Sequence, residues 1–268
     1  MTALAVAAVF AGASLQSATG FGFALIAAPI LFAVLGPQEA VTAGVLLGIA
    51  INVLTLATER RVPRVLRGEA LALVGWSLPG LALGALALRE LPERMLSVLV
   101  ALGVLGGLVL RLRARRPGGA GGGGRSSRSG LVGAGRRSSW MRPAGSGRRS
   151  PRWSAALAGV SSGALSTSTA LSGPPIVLHL LARGASPEQM RDTLAATFVA
   201  LAVMSAPALL IAGTFEAPAA IWALLGAGLA GQLLGRPIFA RLAGERYDNA
   251  VLVVLAVAAL IALATSVL

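Results

Sequence analysis

Apolar residues run through this chain in long uncharged stretches separated by short polar intervals. Windows near the roughly 20 residues needed to cross a bilayer lie at about 39 to 58, 70 to 88, 93 to 112, 192 to 213, 217 to 235 and 248 to 268. Each predicts a membrane-spanning helix. Two further apolar segments, about 2 to 34 and 153 to 183, are interrupted near the middle by Gly, Ser, Thr and Pro: "GASLQSATGFGFALIAAPIL" (12–31) and "GVSSGALSTSTALSGPPIVLHLL" (159–181). These predict broken helices. The second half-helix begins after Gly20 and Gly22 in one, and after Gly173 in the other, where Pro174 or Pro175 suits a first turn.

The pattern repeats. Residues 1–112 and 153–268 each read as a broken segment, a long span, a Gly-rich span and a final span. Between them, residues 113–152 are rich in Arg, Gly and Ser and carry no acid. That composition cannot bury apolar surface, so a disordered linker is expected.

Composition narrows the class. With 56% hydrophobic and 12% charged residues, the 268-residue chain has more apolar surface than a water-soluble core absorbs. "MTALAVAAVF" lacks a positive segment before its apolar run, which argues against a secretory signal. The absence of Cys rules out disulfides and thiol chemistry. One His and ten acids leave little for a metal centre, and no cofactor motif is present. The net charge of +13 suggests nucleic acid at first sight. However, all 23 basic residues are Arg, and twelve lie between Arg111 and Arg152, with one aromatic, Trp140, and no aromatic interleaving pattern. A basic loop beside a membrane reads as cytoplasmic, with the bilayer and not nucleic acid as partner.

Arg placement also orients the spans. If each broken segment is a hairpin that enters and leaves on one face, loop 59–69, the Arg-rich linker, the turn holding Arg183 and Arg191, and loop 236–248 share one side. The opposite side then carries only Arg89 and Arg94. If each crossed once, Arg236, Arg241 and Arg246 would lie outside, against the positive-inside rule. The expectation is an all-α integral membrane protein of two inverted-topology repeats. It would be multi-pass in a bacterial-type inner membrane, with the linker cytoplasmic.

Unwound backbone at membrane depth persists only where protein or a polar cavity satisfies its N–H and C=O groups. Two half-helix N-termini approaching from opposite faces would converge free N–H groups and positive dipole ends on one point, which favours an anion. Gly allows close backbone approach, and neutral side chains supply hydrogen bonds. The candidate substrate-binding residues are Gln16, Ser17, Thr19, Gly20, Gly22, Ser166, Thr167, Ser168, Thr169, Ser172, Gly173 and Pro174. Asn52 and Gln232, inside spans, could bond neighbouring helices or meet substrate. Gly103, Gly106 and Gly107 read as packing positions. No Asp or Glu falls deep within a span, which leaves His179 as a possible proton relay. Outward anion movement needs no relay, because an inside-negative potential favours exit by roughly 2.3 kcal/mol per charge per 100 mV.

With Gly20-Phe21-Gly22 and Pro29 in the first segment and Ser172-Gly173-Pro174-Pro175 in the second, the chain resembles the TauE/SafE family of sulfite exporters and anion permeases. Arg191 and the run Gly226, Gly228, Gly231, Gly235 before Arg236 extend the resemblance. It implies a carrier for sulfite, sulfonates or related small anions. The sequence departs from the family in having "ATGFGFA" where three adjacent Gly are common, and in its long linker.

Two other readings are available. "GVSSG" (159–163) fits G-x-S-x-G, and an intramembrane serine protease could pair Ser161 or Ser162 with His179; yet the nucleophile elbow needs a preceding strand and a third residue to orient the base. A non-transporting structural protein is the other. The transporter reading, with no enzymatic activity, accounts best for the two breaks. Nothing in the sequence addresses the oligomeric state.

Overall fold

The computed structural model describes residues 2–19, 22–58, 62–115 and 152–240. The expected final span, 248–268, and the body of the linker lie outside the described residues. Those described form helices and connections, with no strand among them. Three helices are long and apolar enough to cross a bilayer: Pro37–Ala57, Arg67–Glu90 and Glu188–Ala212. Several shorter apolar helices accompany them. The chain is an all-helical integral membrane protein.

In order, the helices are α1 (Thr2–Thr19), α2 (Phe23–Leu35), α3 (Pro37–Ala57), α4 (Arg67–Glu90), α5 (Glu93–Arg115), α6 (Arg152–Thr169), α7 (Gly173–Ala182), α8 (Pro187–Ala212) and α9 (Ile221–Ala240). Both expected breaks are present. The first falls between α1 and α2, with Gly22 capping α2 at φ 113°. The second falls between α6 and α7. Local chemistry sets the other ends. Pro37 and Pro187 occupy first turns, where a missing N–H costs nothing. Ser186 and Gln189 form a reciprocal capping box on α8, and Gly213 ends that helix at φ 71°.

Helix pairing crosses the chain. α1 packs along α9, α6 along α4, and α3 against α8. Glycine makes the first two pairings close. On α4, a Cβ at Gly80 or Gly84 would run into the Val160 or Ala164 carbonyl of α6. On α6, one at Gly163 would strike the Ser77 carbonyl, and one at Gly159 would lie 2.6 Å from Trp76 Cβ. Both helices thus present a Gly-x-x-x-Gly seam, the small-residue contact that lets membrane helices approach. α9 repeats the spacing: Gly231 faces the Phe10 carbonyl, and Gly235 faces Ser14 and Ser17 of α1. "GVSSG" is therefore half of a packing seam.

The extended segment before α4 docks on the first turns of α8, where Arg64 N donates to Asp192 Oδ2 (2.7 Å) and Leu66 N to Thr193 Oγ1 (3.0 Å). The segment before α9 docks on α3, where Glu216 N donates to Thr42 Oγ1 (3.1 Å). Large apolar side chains cover much of the outside, including Trp153 (78% exposed), Trp222 (80%) and Ile211 (87%). Only a lipid environment makes such a surface unremarkable.

Candidate functional site

The first break is built on α1. Its apolar side joins the main core through Ala5, Val9, Ala13 and Leu15, while Gln16 and Ser17 are also buried. Gln16 Nε2 donates to Asn52 Oδ1 on α3 at 2.8 Å, and Asn52 Nδ2 donates in turn to the Gly48 carbonyl (2.7 Å). One turn further along α3, Thr55 Oγ1 donates to the Ile51 carbonyl (2.8 Å) and accepts from Gln232 Nε2 of α9 (2.6 Å). Gln16, Asn52, Thr55 and Gln232 therefore line one seam of α1, α3 and α9. Ser17 Oγ turns back to the Ser14 carbonyl (2.9 Å). Gly12 brings α2 close, since a Cβ there would sit 2.7 Å from the Phe23 carbonyl. Thr19 ends α1, with its side chain outside the described residues, as is Gly20.

The second break closes differently. Leu171 N donates to the Leu165 carbonyl (3.2 Å), and Ala170 takes φ 58°. This closes the helix end with a 7→1 bond, one residue wider than a Schellman motif, and puts alanine in the left-handed conformation glycine ordinarily takes there, at a cost of roughly 1–2 kcal/mol. α3 yields space, since a Cβ at Gly44 would lie 2.6 Å from Ala170 Cβ. Leu171 packs over Gly103 of α5. α7 begins at Gly173 itself, one residue earlier than expected, with a Pro in its first turn and Ser172 at its cap making no side-chain cap bond. A Cβ on Gly173 would meet Phe198 Cζ at 3.7 Å, an ordinary contact. In this conformation Gly173 is not required by space.

The hydroxyls of the second segment divide by partner. Ser166 Oγ lies 3.0 Å from Ser205 Oγ of α8, and Thr167 Oγ1 donates to the Leu81 carbonyl of α4 (2.8 Å). Ser168 and Thr169 donate to carbonyls of their own helix, Ala164 (2.7 Å) and Leu165 (2.8 Å). Such back-bonding satisfies a hydroxyl in an apolar surrounding and leaves its oxygen able to accept. Gly103 is a packing position as expected; Gly106 has open space beside it, and the Gly107 side is not described.

His179 lies nearly two turns beyond the start of α7, buried. Its Nε2 is 2.8 Å from Glu69 Oε2, and its Nδ1 is 3.4 Å from Ser154 Oγ. The other Glu69 oxygen accepts from Arg183. One carboxylate in the first turn of α4 thus ties down the end of α7. Neither Ser161 nor Ser162 bonds His179: Ser161 Oγ donates to the Leu157 carbonyl (2.6 Å). The pairing needed by the protease reading is not made.

Thr55, Ser205 and Glu69 are partners that sequence reasoning did not single out. Thr55 follows Asn52 by one turn, and Ser205 is a lone hydroxyl in an apolar run; those are the signals each offered. No group of three or more His, Cys, Asp or Glu among the described residues could hold a metal ion.

What the arrangement offers is two helix breaks, each next to buried neutral hydrogen-bonding groups. A protein-family model described as "Sulfite exporter TauE/SafE" matches residues 4–262. Searches of the curated proteins and of the solved structures return no match. Nearly the whole chain, breaks and Gly seams included, falls inside the family match, and the chain belongs to the TauE/SafE sulfite exporter family of membrane transporters.

Proposed function

We propose that the chain carries sulfite, a sulfonate or a related small oxyanion out of the cell, through a site formed by the two breaks of inverted repeats. The observation that carries this reading is that both helix interruptions lie beside buried amides and hydroxyls with no ionised side chain among them. Gln16, Asn52, Thr55 and Gln232 serve the first; Ser166, Thr167 and Ser205 serve the second. Neutral donors and free backbone N–H groups at α2 and α7 hold an anion without a fixed countercharge that would trap it.

Correspondences between the halves support the repeat reading. α1 meets the Gly231/Gly235 seam of α9, and α6 meets the Gly80/Gly84 seam of α4. Thr42 on α3 and Thr193 on α8 each accept from the segment entering the other half's Gly-seam helix. With the Arg-rich linker cytoplasmic in an inner membrane, the inside-negative potential drives anion exit by roughly 2.3 kcal/mol per charge per 100 mV.

His179 remains a candidate relay, but its place beside Glu69 and Arg183 favours a structural tie, so the reading is uniport. Proteoliposomes with a clamped potential and no pH gradient test it. Labelled anion flux should reverse with the sign of the potential and persist in His179→Ala. Flux that appears only with a pH gradient and disappears in that variant would make His179 the proton carrier.

A further inference from the structure

The first seam contains an acceptor that lacks a donor. Gln232 is 4% exposed, held between Gly231 and Gly235, which bring α1 against α9. The Thr55 hydroxyl hydrogen is committed to the Ile51 carbonyl (2.8 Å), so toward Gln232 its oxygen can only accept. The atom 2.6 Å from it must therefore be the amide nitrogen. This fixes the rotation of the amide. Gln232 Oε1 is left buried without a hydrogen-bond partner among the described residues.

Most neighbouring polar groups have partners of their own; Ser14 Oγ of α1, like Gln232 Oε1, is buried without one among the described residues. Gln16 donates to Asn52, Asn52 to the Gly48 carbonyl, and Ser17 to the Ser14 carbonyl. No described donor, Ser14 Oγ included, is within hydrogen-bonding reach of Gln232 Oε1. An oxyanion without hydrogen would bring its lone pairs against that oxygen, whereas one carrying an O–H would satisfy it. Sites built around a polar group that needs a partner discriminate strongly against ligands lacking it.

We propose that Gln232 is a specificity-determining residue and that the seam takes a singly charged oxyanion carrying its own hydrogen, in the form of hydrogen sulfite, with the O–H directed at Gln232 Oε1. The proposal rests on the reading that the anion binds beside the first break. It adds that selectivity is set by one acceptor, not by charge alone.

Hydrogen sulfite and methanesulfonate test it, because both are singly charged sulfur oxyanions and only the first has an O–H. Their labelled fluxes are compared in proteoliposomes under a clamped potential, below the second ionisation of sulfite. The wild-type protein should prefer hydrogen sulfite by on the order of tenfold or more, the factor set by leaving a buried acceptor unpaired. Gln232→Met keeps length and shape but removes the acceptor, and should bring the ratio toward one. Thr55→Val is the second variant. It keeps Gln232 but frees the amide to turn its NH2 toward the anion, and should lower the ratio as well. Equal wild-type flux of both anions would overturn the proposal, as would a wild-type ratio in both variants. Absence of flux for either anion, in inserted wild-type protein that also carries no other anion of a wider panel, would overturn the transport reading instead.

Discussion

Replacing Gly80 by Ala tests the packing that positions the second break. A Cβ at Gly80 would run into the Val160 carbonyl and lie 2.9 Å from the Ala164 nitrogen of α6. Both are backbone, so neither can rotate aside and the helices must separate. Forcing a methyl into a close-packed contact costs about 1–3 kcal/mol. Alanine's better helix propensity returns at most about 1 kcal/mol. Gly75 supplies the control on the same helix, because a Cβ there meets nothing within 4 Å. Gly75→Ala should therefore be neutral or slightly stabilising, and Gly80→Ala destabilising, by the same mutation five residues apart. Thermal unfolding of the detergent-solubilised protein, followed by the fraction remaining monodisperse, measures the difference. Equal stability of the two variants would refute the seam.

Gln16→Leu should destabilise by about 1–3 kcal/mol by leaving Asn52 Oδ1 unpaired, and Gln16→Leu with Asn52→Leu should cost less than the sum, read by a double-mutant cycle. Ala170→Gly should stabilise the second break by about 1 kcal/mol through relief of its positive φ, measured by thermal unfolding. Glu69→Ala removes the carboxylate shared by His179 and Arg183, and should raise the rate of tryptic cleavage after Arg183 over that of the wild type. Deleting residues 118–148 should leave insertion and flux intact, since that stretch has no apolar surface to contribute; loss of flux in an inserted deletion protein would give the linker a role.

The breaks were legible because Gly and Pro interrupt uncharged runs, but hydropathy alone placed the starts of α3 and α8 at 39 and 192, two and five residues inside the Pro37 and Pro187 first turns where the helices begin. The partners of the broken segments were not legible. Gln16 meets Asn52 and His179 meets Glu69 across separations of 36 and 110 residues, and periodicity along a uniformly apolar helix does not say which face turns to which neighbour. The same limit hid the role of "GVSSG", whose glycines matter for what α4 brings against them. Gly173 shows the converse. Its neighbourhood in sequence suggested a steric need, but Phe198 leaves room for a methyl group.

The central claim is that an anion binds between the two breaks. Selenite, a heavier analogue of sulfite, can be located by its anomalous scattering in crystals of the protein. The account predicts a single anomalous peak bounded by residues 16–22 and 166–174, within reach of Gln232. A peak confined to the Glu69, His179 and Arg183 cluster, or to the opposite surface around Glu39, Glu93 and Glu216, would contradict it.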